Sequence, residues 1–226
     1  MVSAAIQHAE APPGLQTFAS DGDRSRLTSA AVKAECDVCV TSSNYLSICE
    51  RLPGERLIFV PDRCMGKHLQ SALAGKKEVI VFDGECEAHA IFPGDKIRSW
   101  RKRTAELGME LMVLSHPECD ADVLEESDFV GSSEVLINEA LRLASEGKRD
   151  LMLITECGTA DRVIAESDEE LNLIGACVMC RHMKVTQLED ILQALREPRS
   201  EQVIEIESAV IERAGNCLDE MFRLAE

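Results

Sequence analysis

His116-Pro117-Glu118 sets an imidazole and a carboxylate two residues apart, with a proline stiffening the backbone between them. General acid–base chemistry needs such fixed placement, although the same tripeptide can be a loop whose His and Glu face solvent. Cys86 lies in a Gly84-x-Cys86-x-x-His89 turn that follows an expected strand, exposed to the edge where a metal site could form. Cys36-x-x-Cys39 and Cys177-x-x-Cys180 have the spacing of two halves of a four-cysteine zinc site. The first pair lies in or beside an expected strand, where residues three apart point to opposite faces, so it chelates only if the strand starts after Cys36. The second pair sits in a loop begun by Gly175, which suits a metal ligand better. Cys49, Cys64, Cys157 and Cys217 read as packing residues.

Two serine-rich turns open helices. Ser42 and Ser43 precede a short helix near Leu46–Leu52, and Ser132 and Ser133 precede one over Glu134–Gly147. Free N–H groups and the positive end of the helix dipole can receive a phosphate or carboxylate there. Ordinary N-capping by serine is the competing explanation, and the two roles are compatible.

Six polar clusters need a scaffold that brings them to one place. Short apolar runs at Cys36–Thr41, Arg56–Pro61, Glu78–Asp83, Glu110–Ser115 and Asp150–Thr155 alternate with helix-like stretches at Gly94–Leu107, Ser133–Gly147 and Thr186–Arg196. Near-continuous apolar runs fit strands buried on both faces, and the alternation fits parallel crossovers. A shorter strand is expected at Asp128–Val130. The polar clusters at Thr41–Asn44, Pro61-Asp62, Gly84–His89, His116–Glu118, Gly131–Ser133 and Thr155-Glu156 each follow a run directly. Ligands of parallel α/β sheets bind outside the carboxyl ends of the strands, so all six project toward one edge. The fold class is α/β: two Rossmann-like, three-layer units with parallel sheets, joined by a soft boundary near Cys86–Pro93 and followed by a C-terminal helix.

Residues 1–27 show no sustained apolar period and read as a poorly ordered leader or as sequence foreign to the fold. Segments 28–88 and 89–184 are the two α/β domains, and 185–226 a helical segment. In that segment Val203, Ile204, Val210, Ile211, Leu218 and Phe222 would pack one face of a helix over Glu201–Ala225. Trp100 lies among Lys and Arg at 98–103, which reads as a solvated helix face.

Composition narrows the function classes. The 226 residues are 45% hydrophobic and 29% charged, and the net charge of −17 is spread along the chain. No broad basic surface exists for nucleic acid or an anionic membrane, and no apolar run nears the roughly 20 residues of a spanning helix. The first residues lack the order of a signal peptide, so a cytoplasmic protein is expected. Ten cysteines in a reducing cytosol are not a disulfide framework.

Taken in chain order, the clusters resemble a known family. Thr28-Ser-Ala-Ala-Val-Lys-Ala, Asp37 through Asn44, Pro61-Asp62, Gly84-x-Cys86-x-x-His89, His116-Pro117-Glu118-Cys119, Gly131-Ser132-Ser133, Thr155-Glu156 and Cys180-x-x-Met183-Lys184 are similar to segments of quinolinate synthase, over residues 28 to about 226. The resemblance implies three α/β domains around a pseudo-threefold axis, each giving one cysteine to a [4Fe–4S] cluster. It implies condensation of iminoaspartate with dihydroxyacetone phosphate, with loss of phosphate and water, to give quinolinate. The iron without a protein ligand would act as the Lewis acid. Cys86 matches the second cluster ligand and Cys180 the third. His89, His116 and Glu118 match active-site positions, with Glu118 as general base. Ser42, Ser132 and Ser133 match groups that hold phosphate or carboxylate.

Three departures accompany the match. The family's first domain, with its cluster cysteine, has no counterpart here, so it would have to be supplied separately. Arg24-Ser25-Arg26-Leu27 stands where the family carries a Tyr-x-Asn element, and Arg181 where it usually has proline. The competing expectations are a non-catalytic remnant that binds small anions or a metal, and a zinc-binding module.

Overall fold

A computed structural model describes residues 2–6, 29–175 and 178–226 of the chain. The elements in order are β1 (Val2–Ile6), α1 (Ala30–Lys33), β2 (Val38–Thr41), α2 (Tyr45–Arg51), β3 (Arg56–Val60), α3 (Arg63–Ala72) and β4 (Glu78–Val81). Then come α4 (Gly94–Glu106), β5 (Met112–Ser115), α5 (Ala121–Glu125), β6 (Phe129–Val130), α6 (Ser133–Ser145), β7 (Asp150–Ile154), α7 (Cys157–Glu166) and β8 (Asn172–Leu173). Two helices, α8 (Leu188–Arg196) and α9 (Ser208–Ala225), end the chain.

The apolar runs become strands because each buries alternate or all side chains. Val38, Cys39 and Val40 of β2 are inaccessible to solvent, as are Val113 and Leu114 of β5. The second sheet has the order β6-β5-β7-β8 and is parallel throughout. One apolar cluster on it gathers Ile97, Val113, Val123 and Ile154, and another gathers Leu114, Leu136, Ala140 and Val163. These clusters make the three-layer arrangement that parallel connections require.

The first sheet has the order β2-β1-β3-β4. Its β3–β4 pair is parallel, but β1 runs antiparallel to both β2 and β3. This sheet is therefore mixed rather than parallel throughout, and a strand stands inside the segment expected to be a leader. The rest of that segment, residues 1 and 7–27, lies outside the described residues, as does residue 28.

The C-terminal helix is shorter than its apolar stripe suggests. A 3-10 turn covers Ser200–Gln202, and α9 starts only at Ser208. Val203 and Ile204 consequently stand exposed instead of packed. The β-branched run Val203-Ile204-Glu205-Ile206 favours extended backbone over helix. Helix α9 returns to the first unit, where Cys217 and Met221 join its core. Trp100 is another correction: it packs half-buried on the Ile97–Val113 cluster, while Arg103 sits 5.8 Å over its ring. The long Arg and Lys side chains around it reach solvent and leave the indole inside. No helix among the described residues is long and apolar enough to cross a membrane.

Candidate functional site

Strand ends deliver the polar groups. The segment after β4 turns on itself, with the N–H groups of His89 and Ala90 both donating to the Cys86 carbonyl. That turn sets the Cys86 thiol and the His89 ring on one side. Gly84 allows the approach, because a Cβ there would collide with the Pro61 carbonyl oxygen at the end of β3. The Arg63 N–H donates to the Gly84 carbonyl at 2.6 Å, and Asp62 forms a parallel bridge with Gly84. Asp62 also caps α3 by accepting from the Met65 N–H at 2.7 Å. After β5, the His116 N–H donates to the Ile154 carbonyl, which fixes the His116–Glu118 segment against β7.

The result is a buried polar cluster shared by the two units. Glu118 is 1% exposed, Asp62 2% and Thr155 3%, so these groups are removed from water. His89 Nδ1 lies 2.9 Å from Glu118 Oε2, and His89 Nε2 lies 3.2 Å from Thr155 Oγ1. His116 Nδ1 is 4.0 Å from the same Glu118 oxygen. The His89 and His116 rings stack, with centroids 4.4 Å apart and planes 14° from parallel. His116 Nδ1 accepts from the Glu118 N–H at 3.3 Å, which places the proton of a neutral ring on Nε2.

Burial separates the protonation states. It pushes the His89 imidazole down, but Cys86 and Glu118 beside it prevail and raise it to about 9. Burial next to cationic His89 pushes His116 down to about 3. Glu118 resists ionisation through burial, yet the neighbouring imidazoles hold it below the usual carboxylate range. Burial and the Glu118 charge raise Asp62 to about 7. A cation, a neutral imidazole and an anion thus sit together at neutral pH.

This cluster is not satisfied internally. Although 2.9 Å apart, His89 Nδ1 and Glu118 Oε2 are not aligned for a hydrogen bond. Among the described residues, both Glu118 oxygens, His89 Nδ1, Asp62 Oδ2 and Ser132 Oγ are buried without a hydrogen-bond partner. Buried polar atoms left unpaired are costly, and several in one place point to a ligand. The donor atoms of Cys86, His89 and Glu118 all lie within 4.8 Å of one another, a set able to hold a metal ion.

Ser132 stands at the N-cap position of α6, yet its hydroxyl makes no capping bond, and it is buried. Ser133 is exposed on the first turn of α6, and Ser42 is half-buried in the turn between β2 and α2. Neither is among the hydrogen-bonded partners of the buried cluster. Cys180 is half-buried beyond the bridge between Glu156 and Val178. Its neighbour Arg181 makes two 2.9 Å bonds to Glu87, the residue after Cys86, so one bidentate ion pair links the two cysteine segments. His182 Nε2 adds a contact to Glu87 at 3.2 Å. Asp62 and Thr155 lie in the buried cluster without having been singled out, although both stood in polar groups at strand ends. Glu156 caps α7 through the Gly158 N–H at 2.7 Å and meets Lys184 Nζ at 3.3 Å.

The zinc arrangement is not assembled among the described residues. Strand β2 does begin after Cys36, as chelation by the first pair requires. However, the Cys36 thiol donates to the Val32 carbonyl, and Cys39 Sγ contacts Cys217 Sγ. Cys177 lies outside the described residues.

Comparison with known proteins agrees with the motif order. A family model described as quinolinate synthetase A protein matches residues 27–223. Quinolinate synthase 1 of Mesorhizobium japonicum is 37% identical over 194 residues, 86% of this chain and 56% of that protein. The quinolinate synthase of Agrobacterium fabrum is 34% identical over 197 residues, 87% and 54%. That of Caulobacter vibrioides is 35% identical over 201 residues, 87% and 52%. The chain therefore spans about half the length of the curated relatives it matches. With the match running through nearly all of its described residues, the chain belongs to the quinolinate synthetase A family.

Proposed function

We propose that this chain carries two of the three domains of a cytoplasmic quinolinate synthase, and that a first domain completes the site. The reaction is the condensation of iminoaspartate with dihydroxyacetone phosphate to quinolinate, with release of phosphate and water. The observation that carries this reading is the buried cluster of Cys86, His89 and Glu118 at the strand ends, in which the His89 Nδ1 and both Glu118 oxygens have no hydrogen-bond partner.

The residues present fit part of a [4Fe–4S] site. Thiolates hold such clusters, and here the segments of Cys86 and Cys180 are tied by the Glu87–Arg181 pair. The third ligand would come from the first domain. A bound cluster would supply Lewis acidity toward a substrate oxygen. Glu118, an anion in a buried setting, serves in this reading as the base that takes a proton from substrate carbon or nitrogen. Cationic His89 orients that carboxylate and favours an anionic substrate beside it. His116 donates from Nε2 as a neutral acid, because its low basicity keeps it from charging. The Ser132 hydroxyl and the first N–H groups of α6 offer an anion site for phosphate or carboxylate, which Ser133 and Ser42 extend.

Anaerobic reconstitution with iron and sulfide, with and without a first domain taken from a relative, tests this. About four irons per assembled complex, and quinolinate formed from the two substrates, are expected. Cys86→Ala or Cys180→Ala should abolish iron binding. A single zinc bound through Cys36 and Cys39, or a folded complex that takes up no iron, would overturn the reading.

A further inference from the structure

The cysteine pair between β2 and α9 lies away from this site and has no part in the proposed reaction. Cys39 and Cys217 are 178 positions apart in the chain, yet their sulfurs lie 3.1 Å from each other. A disulfide bond is about 2.05 Å long, so roughly 1 Å of approach separates contact from bond. Both side chains sit on regular elements of one apolar cluster, Cys39 on β2 and Cys217 on the buried stripe of α9. Among the described residues, no other two cysteine sulfurs are hydrogen-bonded to each other. The thiols of Cys64 and Cys119 instead meet Asp120 and the Ile154 carbonyl.

Access comes from outside the core. An open groove of about 450 Å³ runs beside α9, and Cys217 lines it together with Cys36, Leu52 and Arg213. Cys217 borders this groove but is buried, so a small uncharged oxidant meets its sulfur when α9 opens locally. The helix it would affect is lightly held: of its 18 residues only Ala214, Cys217 and Met221 are buried, while Ile211 and Phe222 are exposed. Its polar ties are a bond from Arg51 to the Leu224 carbonyl and a surface contact between Arg213 and Glu35. Elements with so few buried contacts open at low cost.

We propose that Cys39 and Cys217 are a redox pair, which a hydroperoxide oxidises to an intrachain disulfide that fastens α9 to β2. In the first step Cys217 gives up its proton and attacks the peroxide as the thiolate, the proton passing to the departing oxygen. The O–O bond breaks, one oxygen stays on sulfur as a sulfenic acid, and the other leaves as alcohol or water. In the second step the Cys39 sulfur attacks the Cys217 sulfur, the S–O bond breaks, and water leaves with the Cys39 proton. The two thiols lose two electrons and the peroxide gains them. The closed loop is long, so the bond removes much freedom from the open chain.

Mass spectrometry of the full chain tests the pair. Reduced protein is treated anaerobically with hydrogen peroxide, alkylated and digested with trypsin. Peptides 34–51 and 214–223 should appear joined, lighter by two hydrogens than their sum, and separate with dithiothreitol. The link should vanish in Cys39→Ser and Cys217→Ser and persist in Cys36→Ser and Cys49→Ser. Wild-type protein alone decides the main point, whatever the variants do. If fragmentation places the bridge at Cys36 or Cys49, or if Cys39 and Cys217 stay alkylatable at peroxide doses that consume the half-buried Cys157 and Cys180, the proposal fails. Amide exchange across 208–225 should also slow on oxidation, and equal rates in the two states would overturn the fastening of α9.

Discussion

Glu118 Oε2 and His89 Nδ1 lie 2.9 Å apart in a buried setting, yet they are not aligned for a hydrogen bond. An ion pair that existed only for stability would be expected to align, because a buried charge without good hydrogen bonds costs more than it returns. Poor alignment leaves both Glu118 oxygens open to a ligand. The charge separation is held by the surroundings, with His89 raised to about 9 and Glu118 held low.

Glu118→Gln should therefore separate binding from turnover. The amide keeps the size of the carboxylate but cannot take a proton, so the assembled enzyme should retain its iron and lose about 10²-fold in turnover. Iron content and quinolinate production, measured on the same sample, check this. Unchanged turnover would remove Glu118 from the role of base.

Ser132 distinguishes a cap from a ligand group. A serine that caps a helix is worth about 1 kcal/mol, and its loss to alanine shows in unfolding. The Ser132 hydroxyl makes no capping bond and stays buried without a partner. Ser132→Ala is thus expected to change unfolding stability by less than about 0.5 kcal/mol while raising the KM for dihydroxyacetone phosphate. A loss of stability with unchanged KM would make Ser132 a plain cap.

Much of this was legible in the sequence because burial and periodicity leave strong traces. The apolar runs that become β2, β3, β4, β5 and β7 start or end within two residues of the strands, and the polar groups after β3, β4, β5 and β7 meet in the buried cluster. What was not legible depends on partners distant in sequence. Val2–Ile6 is a strand only because β2 and β3 flank it, and five residues carry too little pattern to announce that. Trp100 looked solvated because its charged neighbours dominate the local composition, whereas the direction of its ring is set by the core beneath α4. Asp62 and Thr155 could be seen as polar strand-end residues, but their contact with the histidine–glutamate cluster depends on how two sheets meet. The Cys39–Cys217 approach had no local trace at all.

Gly84 and Gly215 should respond in opposite directions to the same substitution. A Cβ at Gly84 meets the Pro61 backbone carbonyl, which cannot rotate away, and the loop that follows carries Cys86. Gly84→Ala is expected to cost roughly 1–3 kcal/mol and to reduce iron uptake. Gly215 lies inside α9 with open space where a Cβ would go. Gly215→Ala should stabilise by about 0.5–1 kcal/mol, since glycine is the poorer helix former. Urea unfolding of the two variants checks both signs, and a stabilised Gly84→Ala would contradict the close approach of the Cys86 loop to β3.

His68 gives a pH dependence away from the candidate site. The Tyr45 hydroxyl bonds to His68 Nδ1, an arrangement in which a neutral imidazole accepts from the phenol. Burial lowers His68 from its ordinary value of 6.5. The unfolded chain therefore takes up this proton at a higher pH than the folded chain does. Its contribution to stability is present in full above about pH 6.5 and declines as pH falls toward the lowered value in the fold. His68→Gln cannot titrate, so its stability should fall less than that of the wild-type chain between pH 7 and pH 5. Tyr45→Phe, which leaves the imidazole without its donor, should cost about 1 kcal/mol at pH 7. Denaturant titrations at the two pH values measure each effect, and parallel losses in wild type and His68→Gln would show that His68 remains as basic in the fold as in the open chain.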